Sequence, residues 1–421
     1  MTAPLALYGL LTRLVAPLAP WVLDRRARRG REDPGRIGER LGRASAARPP
    51  GALVWLHGVS VGESLSLLSL VEGLRTRRPD LALLVTSGTR TSTELLARRL
   101  PQGVLHQYVP VDTPGAVGRF LDHWRPDLGV FAESELWPNL LLGARRRGVR
   151  LALVSARITE STARTWGRAP ASARRLLSAF DLILPQDKAS ASRLRALGAD
   201  PGRELNLKRA GAPLPCDADE LARLRTLTSG RPVILAASTH PGEEALVAGA
   251  AAGLGALLII APRHPERGPE IAAALDAPRR ALGQLPGKAD WTWIADTLGE
   301  MGLFFRLADL VVMGGSFPGG IGGHNPLEPA RLGTPILTGP DIANSADVYD
   351  EMFDEVCAVT ARDGPDLRRK LAGLLADPTL RRRMCEAALG YAERQGQSLA
   401  GALEDLDPLL GNPHHVLELG R

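Results

Sequence analysis

The sequence predicts an α/β protein built as two doubly wound domains, each around its own parallel sheet. Three observations lead there. At 421 residues the chain exceeds what one core ordinarily serves. Short apolar runs alternate with helical patterns, the rhythm of βαβ units. That rhythm stops near Pro213–Asp219 and then starts again.

In order along the chain, Ala3–Leu23 ("APLALYGLLTRLVAPLAPWVL") is mostly apolar, broken by Arg13 and three prolines, and "DRRARRGR" follows it. A secretory signal puts its positive charge first, the reverse of this order. A membrane span needs about 20 clean apolar residues. The segment therefore reads as an interfacial anchor, a short span, or the hydrophobic first helix of a soluble domain. In the first two cases Arg25–Arg31 would lie on an anionic cytoplasmic surface. Strands are then predicted at Leu53–Leu56, Leu81–Thr86, Asp127–Phe131, Leu151–Ser155 and Leu182–Leu184, with helices at Leu65–Arg75, Thr91–Leu100 and Trp137–Arg147. After the junction, Pro232–Ser238, Ala256–Arg263, Leu310–Ser316 and Pro335–Gly339 read as strands of a second sheet. Gln397–Leu410 reads as a terminal helix and His414–Arg421 as a frayed tail. The resulting organisation is an anchor and basic segment at 1–48, domains at 49–212 and 213–396, and a helix with tail at 397–421. Ligands of such sheets bind at the carboxyl ends of the strands, where the crossovers diverge. Two such edges facing each other would form a central cleft.

Composition narrows the partners. Apolar content of 44% and charged content of 23% are those of a globular chain. A net charge of +6, with Arg far outnumbering Lys, favours anionic partners. Only 4% of residues are aromatic, and they do not interleave with basic ones, so no nucleic-acid platform is expected. Cys216, Cys357 and Cys385 have no metal-ligand spacing, and no HExxH motif occurs. No metal or cofactor is expected.

Four stretches carry the candidate chemistry. In "LVWLHGVSVGE" a strand runs into the loop Gly58–Gly62, and Glu63 then starts a helix whose N-terminus favours an ionised carboxylate. Such a carboxylate can take a proton from an attacking hydroxyl; it can equally be a helix-start glutamate that complements the dipole. Ser60 lies in the same loop. In "GGSFPGGIGGHNPLEPA" the glycines, Gly322 and Gly323 among them, precede a helix start with Asn325 as N-cap, Pro326 at the first position and Glu328 at capping-box spacing. Backbone N–H groups there suit a phosphate; a tight structural turn is the alternative. No Lys follows, and the loop is neither a Walker A nor a clean dinucleotide fingerprint. "STHPGEE" and "APRHPER" also follow strands, so Arg263 and His264 are candidate phosphate contacts. "ESELWPN" brings Glu133 and Glu135 to another strand end, Arg157 follows the next strand, and Lys208 lies in "NLKRAG".

Together "HGVSVGE", "ESELWPN", "SAR", "NLK", "STHPGEE", "APRHPER", "DTLGEM" and "GGHNPLEP", in this order, resemble the 3-deoxy-D-manno-octulosonic acid (Kdo) transferases specific for lipid A. The resemblance runs from the N-terminal segment to about Leu375 and implies a GT-B glycosyltransferase with two Rossmann-like domains. It implies CMP-Kdo as donor, a lipid A precursor as acceptor, inversion at the anomeric centre without a metal, and attachment to the cytoplasmic face of the inner membrane. It makes Glu63 the catalytic base. It assigns Ser238, Thr239, Arg263, His264, Gly299, Glu300, Met301, Asn325 and Glu328 to the donor, where Gly322 and Gly323 are also expected; Ser60, Glu133, Glu135, Arg157 and Lys208 are expected to meet the acceptor or to scaffold the cleft. The chain departs from the family pattern at Gly58, at Arg90 and Ser92, and at Arg209–Ala210. Two other readings stay open: a GT-B enzyme using another nucleotide sugar, as transferase or epimerase, and a membrane lipid- or nucleotide-binding protein without turnover.

Overall fold

A computed structural model describes residues 2–211, 213–317 and 319–410. The tail expected at His414–Arg421 lies outside them. The chain divides into two compact units, Met1–Gly211 with Gln395–Arg421, and Ala212–Arg394.

The first unit holds strands β1 (Leu53–His57), β2 (Ala82–Ser87), β3 (Leu105–Tyr108), β4 (Leu128–Ala132), β5 (Arg150–Ala156) and β6 (Leu182–Pro185). They form one parallel sheet in the order β3-β2-β1-β4-β5-β6. All five residues of β1 are buried, because helices cover both faces of a parallel sheet. Leu53 and Trp55 point into one core and Val54 and Leu56 into the other, the period-two alternation of a strand. Each such side chain contributes about 1.5–3 kcal/mol by leaving water.

The second unit repeats the plan with β7 (Val233–Thr239), β8 (Leu257–Pro262), β9 (Thr292–Ile294), β10 (Leu310–Met313), β11 (Ile336–Thr338) and β12 (Ala358–Thr360), in the order β12-β11-β10-β7-β8-β9. Counted from the first strand of each unit, the two orders are the same. The crossovers therefore diverge between β1 and β4 in one sheet and between β10 and β7 in the other, and each point opens a crevice at the carboxyl edge.

β3, β9 and β12 were not expected from sequence. They are short edge strands. β3 reads "LHQY", without the apolar run that covering on both faces would impose. The terminal helix is also longer than expected. It starts at Pro378, the favoured first position, and runs unbroken to Leu406. Ala388 and Tyr391 lie in a core of the second unit, Ala402, Leu403 and Leu406 in one of the first.

The N-terminal stretch Ala3–Ala27 is the one segment among the described residues long and apolar enough to cross a membrane. It is interrupted by a short 3-10 turn at Ala16–Leu18, where Pro17 and Pro20 break the regular ladder. One side is fastened to the first unit. Leu5 is buried with Leu142 and Leu176, the Tyr8 hydroxyl donates to Asp112 at 2.9 Å, and Asn139 donates to Thr12 at 2.9 Å. The other side leaves Leu7, Leu10, Leu11, Leu14, Leu18 and Trp21 exposed.

Candidate active site

In the first unit, β1 and β4 deliver a group of carboxylates to the crevice between them. After His57 the chain turns through Gly58–Ser60, and the helix begins at Val61, two residues before the expected start at Glu63. The reason is a capping box. Ser60 Oγ accepts the Glu63 N–H at 3.3 Å, and the Glu63 carboxylate accepts the N–H groups of Val59 at 2.6 Å and Ser60 at 3.4 Å. The Ser60 hydroxyl donates to Glu63 Oε1 at 2.9 Å. Glu63 thus has the helix-start role that sequence allowed. The same bonds also fix a carboxylate at the mouth of the crevice.

Directly after β4 comes Glu133, whose φ of 57° is strained for a residue with a side chain. Its carboxylate lies 2.7 Å from the Lys208 ammonium. Lys208 is thus drawn into the carboxylate group, and it is not a free linker lysine. Glu135 accepts a hydrogen bond from the Trp137 indole. Burial, opposed by that bond and reinforced by the charges of Glu63 and Glu133, pushes the Glu135 carboxyl up to about 7. Arg157 is exposed, and its backbone N–H donates to the Glu133 carbonyl at 3.3 Å.

His57 was not singled out in the sequence, and it completes this group. It is fully buried, and burial pushes its imidazole down to about 3, so the ring is neutral. The Trp55 indole, which can only donate, bonds to Thr86 Oγ1 at 2.8 Å. Thr86 Oγ1 lies 2.9 Å from His57 Nδ1 and donates to the Leu56 carbonyl at 3.4 Å. On the other side of the ring, Nε2 lies 3.9 Å from Glu135 Oε2. The available signal was a histidine closing an otherwise apolar strand.

In the second unit the same position carries imidazoles and an arginine. Near the end of β7, Ser238 adopts a φ of 56°, and the carbonyl of Ser238 lies so close to Gly314 that a Cβ there would meet it at 2.4 Å. His240 Nε2 lies 2.9 Å from His324 Nε2, with the two rings stacked 5.2 Å apart. His264 meets the His240 ring edge-on at 6.0 Å. Burial first, then neighbouring cations including Arg263, holds both His240 and His324 below the usual imidazole range. Arg263 also acts on Glu328, which burial raises. The charge of Arg263 is thus felt by all three side chains.

A buried glutamate shapes this edge. The Glu243 carboxylate accepts the N–H groups of Gly315 at 2.7 Å, Ser316 at 3.0 Å, Phe317 at 3.1 Å and His240 at 2.9 Å. Several expectations need correction here. Gly322 donates its N–H to Asp341 at 3.1 Å, and Gly323 donates to the Gly315 carbonyl at 2.8 Å. These glycines supply the turn, with φ of 86° and 73°, and their amides are already used within the loop. Asn325 does cap, accepting the Leu327 N–H at 3.1 Å. The helix that follows is only Leu327–Ala330, and no bond among the described residues closes a capping box through Glu328. Thr239 is buried and donates to Glu244 at 2.9 Å, so its hydroxyl faces inward. Gly299 turns the chain with a φ of 85°, Glu300 pairs with Arg280 at 2.6 Å, and Met301 begins the next helix against the core.

Comparison with known proteins agrees with this picture. A sequence profile described as 3-deoxy-D-manno-octulosonic-acid transferase matches residues 35–208. The chain is 36% identical to the 3-deoxy-D-manno-octulosonic acid transferase of Bordetella pertussis, over 96% of this chain and 99% of that one. It is 33% identical to the enzyme of the same name from Rickettsia bellii, over 93% and 96%. Among solved structures, a glycosyltransferase from Rickettsia africae matches with a TM-score of 0.53 at 11% identity, over 86% of this chain and all (100%) of that one. A UDP-GlcNAc 2-epimerase from Neisseria meningitidis matches with a TM-score of 0.53 at 12% identity, over 85% and 100%. At these identities the structural likeness establishes the fold, which is GT-B. The extent and identity of the sequence match go further: the chain belongs to the 3-deoxy-D-manno-octulosonic acid (Kdo) transferase family and is a glycosyltransferase.

Proposed function

We propose that the chain transfers Kdo from CMP-Kdo to a lipid A precursor, with inversion, in lipopolysaccharide core assembly. The observation that carries this reading is the pairing of Glu63 with the crevice between β1 and β4, beside Glu133, Glu135 and Lys208. Glu63 Oε takes the proton of an acceptor hydroxyl as that oxygen attacks the anomeric carbon of Kdo. The bond from that carbon to the phosphate oxygen breaks in the same displacement, and CMP leaves with the electron pair. Arg263 and the imidazoles of His240, His264 and His324 suit the charge that develops on the leaving phosphate. Glu243 and Asn325 hold the loops around it. Lys208 and Arg157 suit the acceptor's anionic groups.

Ala3–Ala27 serves in this reading as an interfacial anchor at the cytoplasmic face of the inner membrane. Support comes from its two faces: one is bonded to Asp112 and Asn139, and the other presents a row of leucines. Arg25 near its end and Arg28 and Arg29 directly after it are exposed, where basic residues meet anionic lipid. Incubation with CMP-Kdo, made in situ, and a tetraacylated lipid A precursor, followed by mass analysis, tests the function. A product heavier by one or more Kdo units is expected. An unchanged acceptor mass, or competition by UDP in preference to CMP, would contradict it.

A further inference from the structure

A cavity of about 480 Å³ opens beside the carboxylate group of the first unit. Leu5 and Tyr8 of the N-terminal helix form one wall, Leu136 and Trp137 a second, and Trp166 with Ala169 a third. Glu135 is the ionisable group at its inner end, and it is the same carboxylate that faces His57. Trp137 orients its indole N–H to Glu135, which leaves the ring's apolar face for the cavity. The volume is in the range of small-molecule sites, and the lining is mostly apolar.

What could fill it is limited by what surrounds it. The helix that supplies Leu5 and Tyr8 on its inner side presents Leu7, Leu11 and Leu14 on its outer side. The apolar lining is therefore continuous, along one helix, with the surface most suited to a bilayer. The cavity is also lined by Glu135, the carboxylate that feels the charge of Glu63. A ligand spanning both ends must be apolar toward the helix and carry its hydroxyl toward the carboxylates.

We infer that this cavity takes one acyl chain of the glycolipid acceptor, so that the chain's seating fixes which hydroxyl reaches Glu63. The inference rests on the proposed acceptor class. Leu5, Tyr8, Trp137 and Trp166 grip the methylenes, and Ala169 sets the depth, since it is the smallest side chain of the wall it shares with Trp166. Each methylene moved from water into such a lining favours binding about threefold to fourfold.

The test is a series of acceptors bearing acyl chains from about ten to about sixteen carbons, assayed with the full-length protein. In the unmodified protein kcat/KM should climb by about threefold per carbon and then level off where the cavity is full. Ala169→Phe should lower that levelling point by at least about two carbons, and Trp166→Ala should raise it. The two variants act in opposite directions, so a general loss of folding cannot mimic the pair. One chain-length profile shared by all three active proteins would overturn the inference. So would a change in vesicle binding without a change in the profile, because the cavity would then hold a bilayer lipid. Transfer to none of these acceptors would instead overturn the acceptor reading itself, and this inference with it.

Discussion

The two sheets have the same strand order, and in both the first strand is followed by a loop and a glutamate at a helix start: Glu63 after β1 and Glu243 after β7. Their surroundings differ. Glu243 is buried and its carboxylate accepts four backbone N–H groups, three of them from the loop after β10. Glu63 is only partly buried and accepts two backbone N–H groups and one hydroxyl, all from its own turn. The neighbours also differ: the carboxylates of Glu133 and Glu135, with Lys208 paired to the former, stand beside Glu63, whereas the imidazole of His240, packed against His264 and His324, stands near Glu243. A glutamate whose lone pairs are consumed by amides in the interior is scaffold. One that keeps an edge toward a crevice can accept a proton. The same fold position serves structure in one unit and, in the proposed mechanism, chemistry in the other.

Six variants break or sharpen this contrast. The largest stability effect is expected for Glu243→Ala, which strands several buried N–H groups at about 1–3 kcal/mol each. A loss on the order of 4 kcal/mol should appear as early hydrogen exchange around residues 313–317, whereas Glu63→Ala should cost only about 1 kcal/mol, the worth of a cap. Equal losses would erase the distinction.

Glu135→Gln comes next. The folded protein holds the Glu135 proton up to about pH 7, against an ordinary value of 4.5. Between those values the folded state binds more protons than the unfolded one, so this residue lowers stability as pH rises through the window. The glutamine keeps the Trp137 bond without the charge. It should be the more stable protein above pH 7 by on the order of 2–3 kcal/mol and no different near pH 4, in urea titrations at both values. A gain that does not vary with pH would remove the titration from the account.

Arg263→Gln should weaken CMP binding about tenfold or more, through loss of charge-assisted hydrogen bonds to phosphate, with lipid vesicle binding unaffected. Unchanged calorimetric affinity would move the phosphate site elsewhere. Asn325→Ala is expected to be mildest, at about 0.5–2 kcal/mol for the capped turn, and to raise the apparent donor constant more than the acceptor constant. Gly323→Val should exceed it, because the position has a φ of 73° and a Cβ would meet the Asp341 carbonyl at 3.0 Å.

The central strands could be read in the sequence because strands covered on both faces leave unbroken apolar runs, whereas the strand order that sets the switch points could not. "LVWLH" and "PVILAAS" are such runs. Edge strands such as Thr292–Ile294 leave no such mark. At the site, Glu63 and Glu133 stood out by position after strands and Lys208 by its place at the junction of the two domains, and the structure pairs Lys208 with Glu133. His57 and Glu243 did not stand out. Their roles depend on partners far along the chain, Thr86 for one and Gly315–Phe317 for the other, which no local pattern announces. The phosphate-loop glycines were read for their amides. The structure uses those amides internally, a pairing that depends on Asp341 and Gly315 coming close in the fold.

The most direct measurement of the central claim is turnover and CMP affinity of Glu63→Gln, side by side. Glutamine at the third helical position can still complete the capping box, so the turn and helix should survive while the proton acceptor is lost. The account predicts transfer slowed by about 10²–10⁴-fold with CMP binding nearly unchanged. Transfer within a few-fold of the unmodified protein would show that Glu63 is only a helix cap.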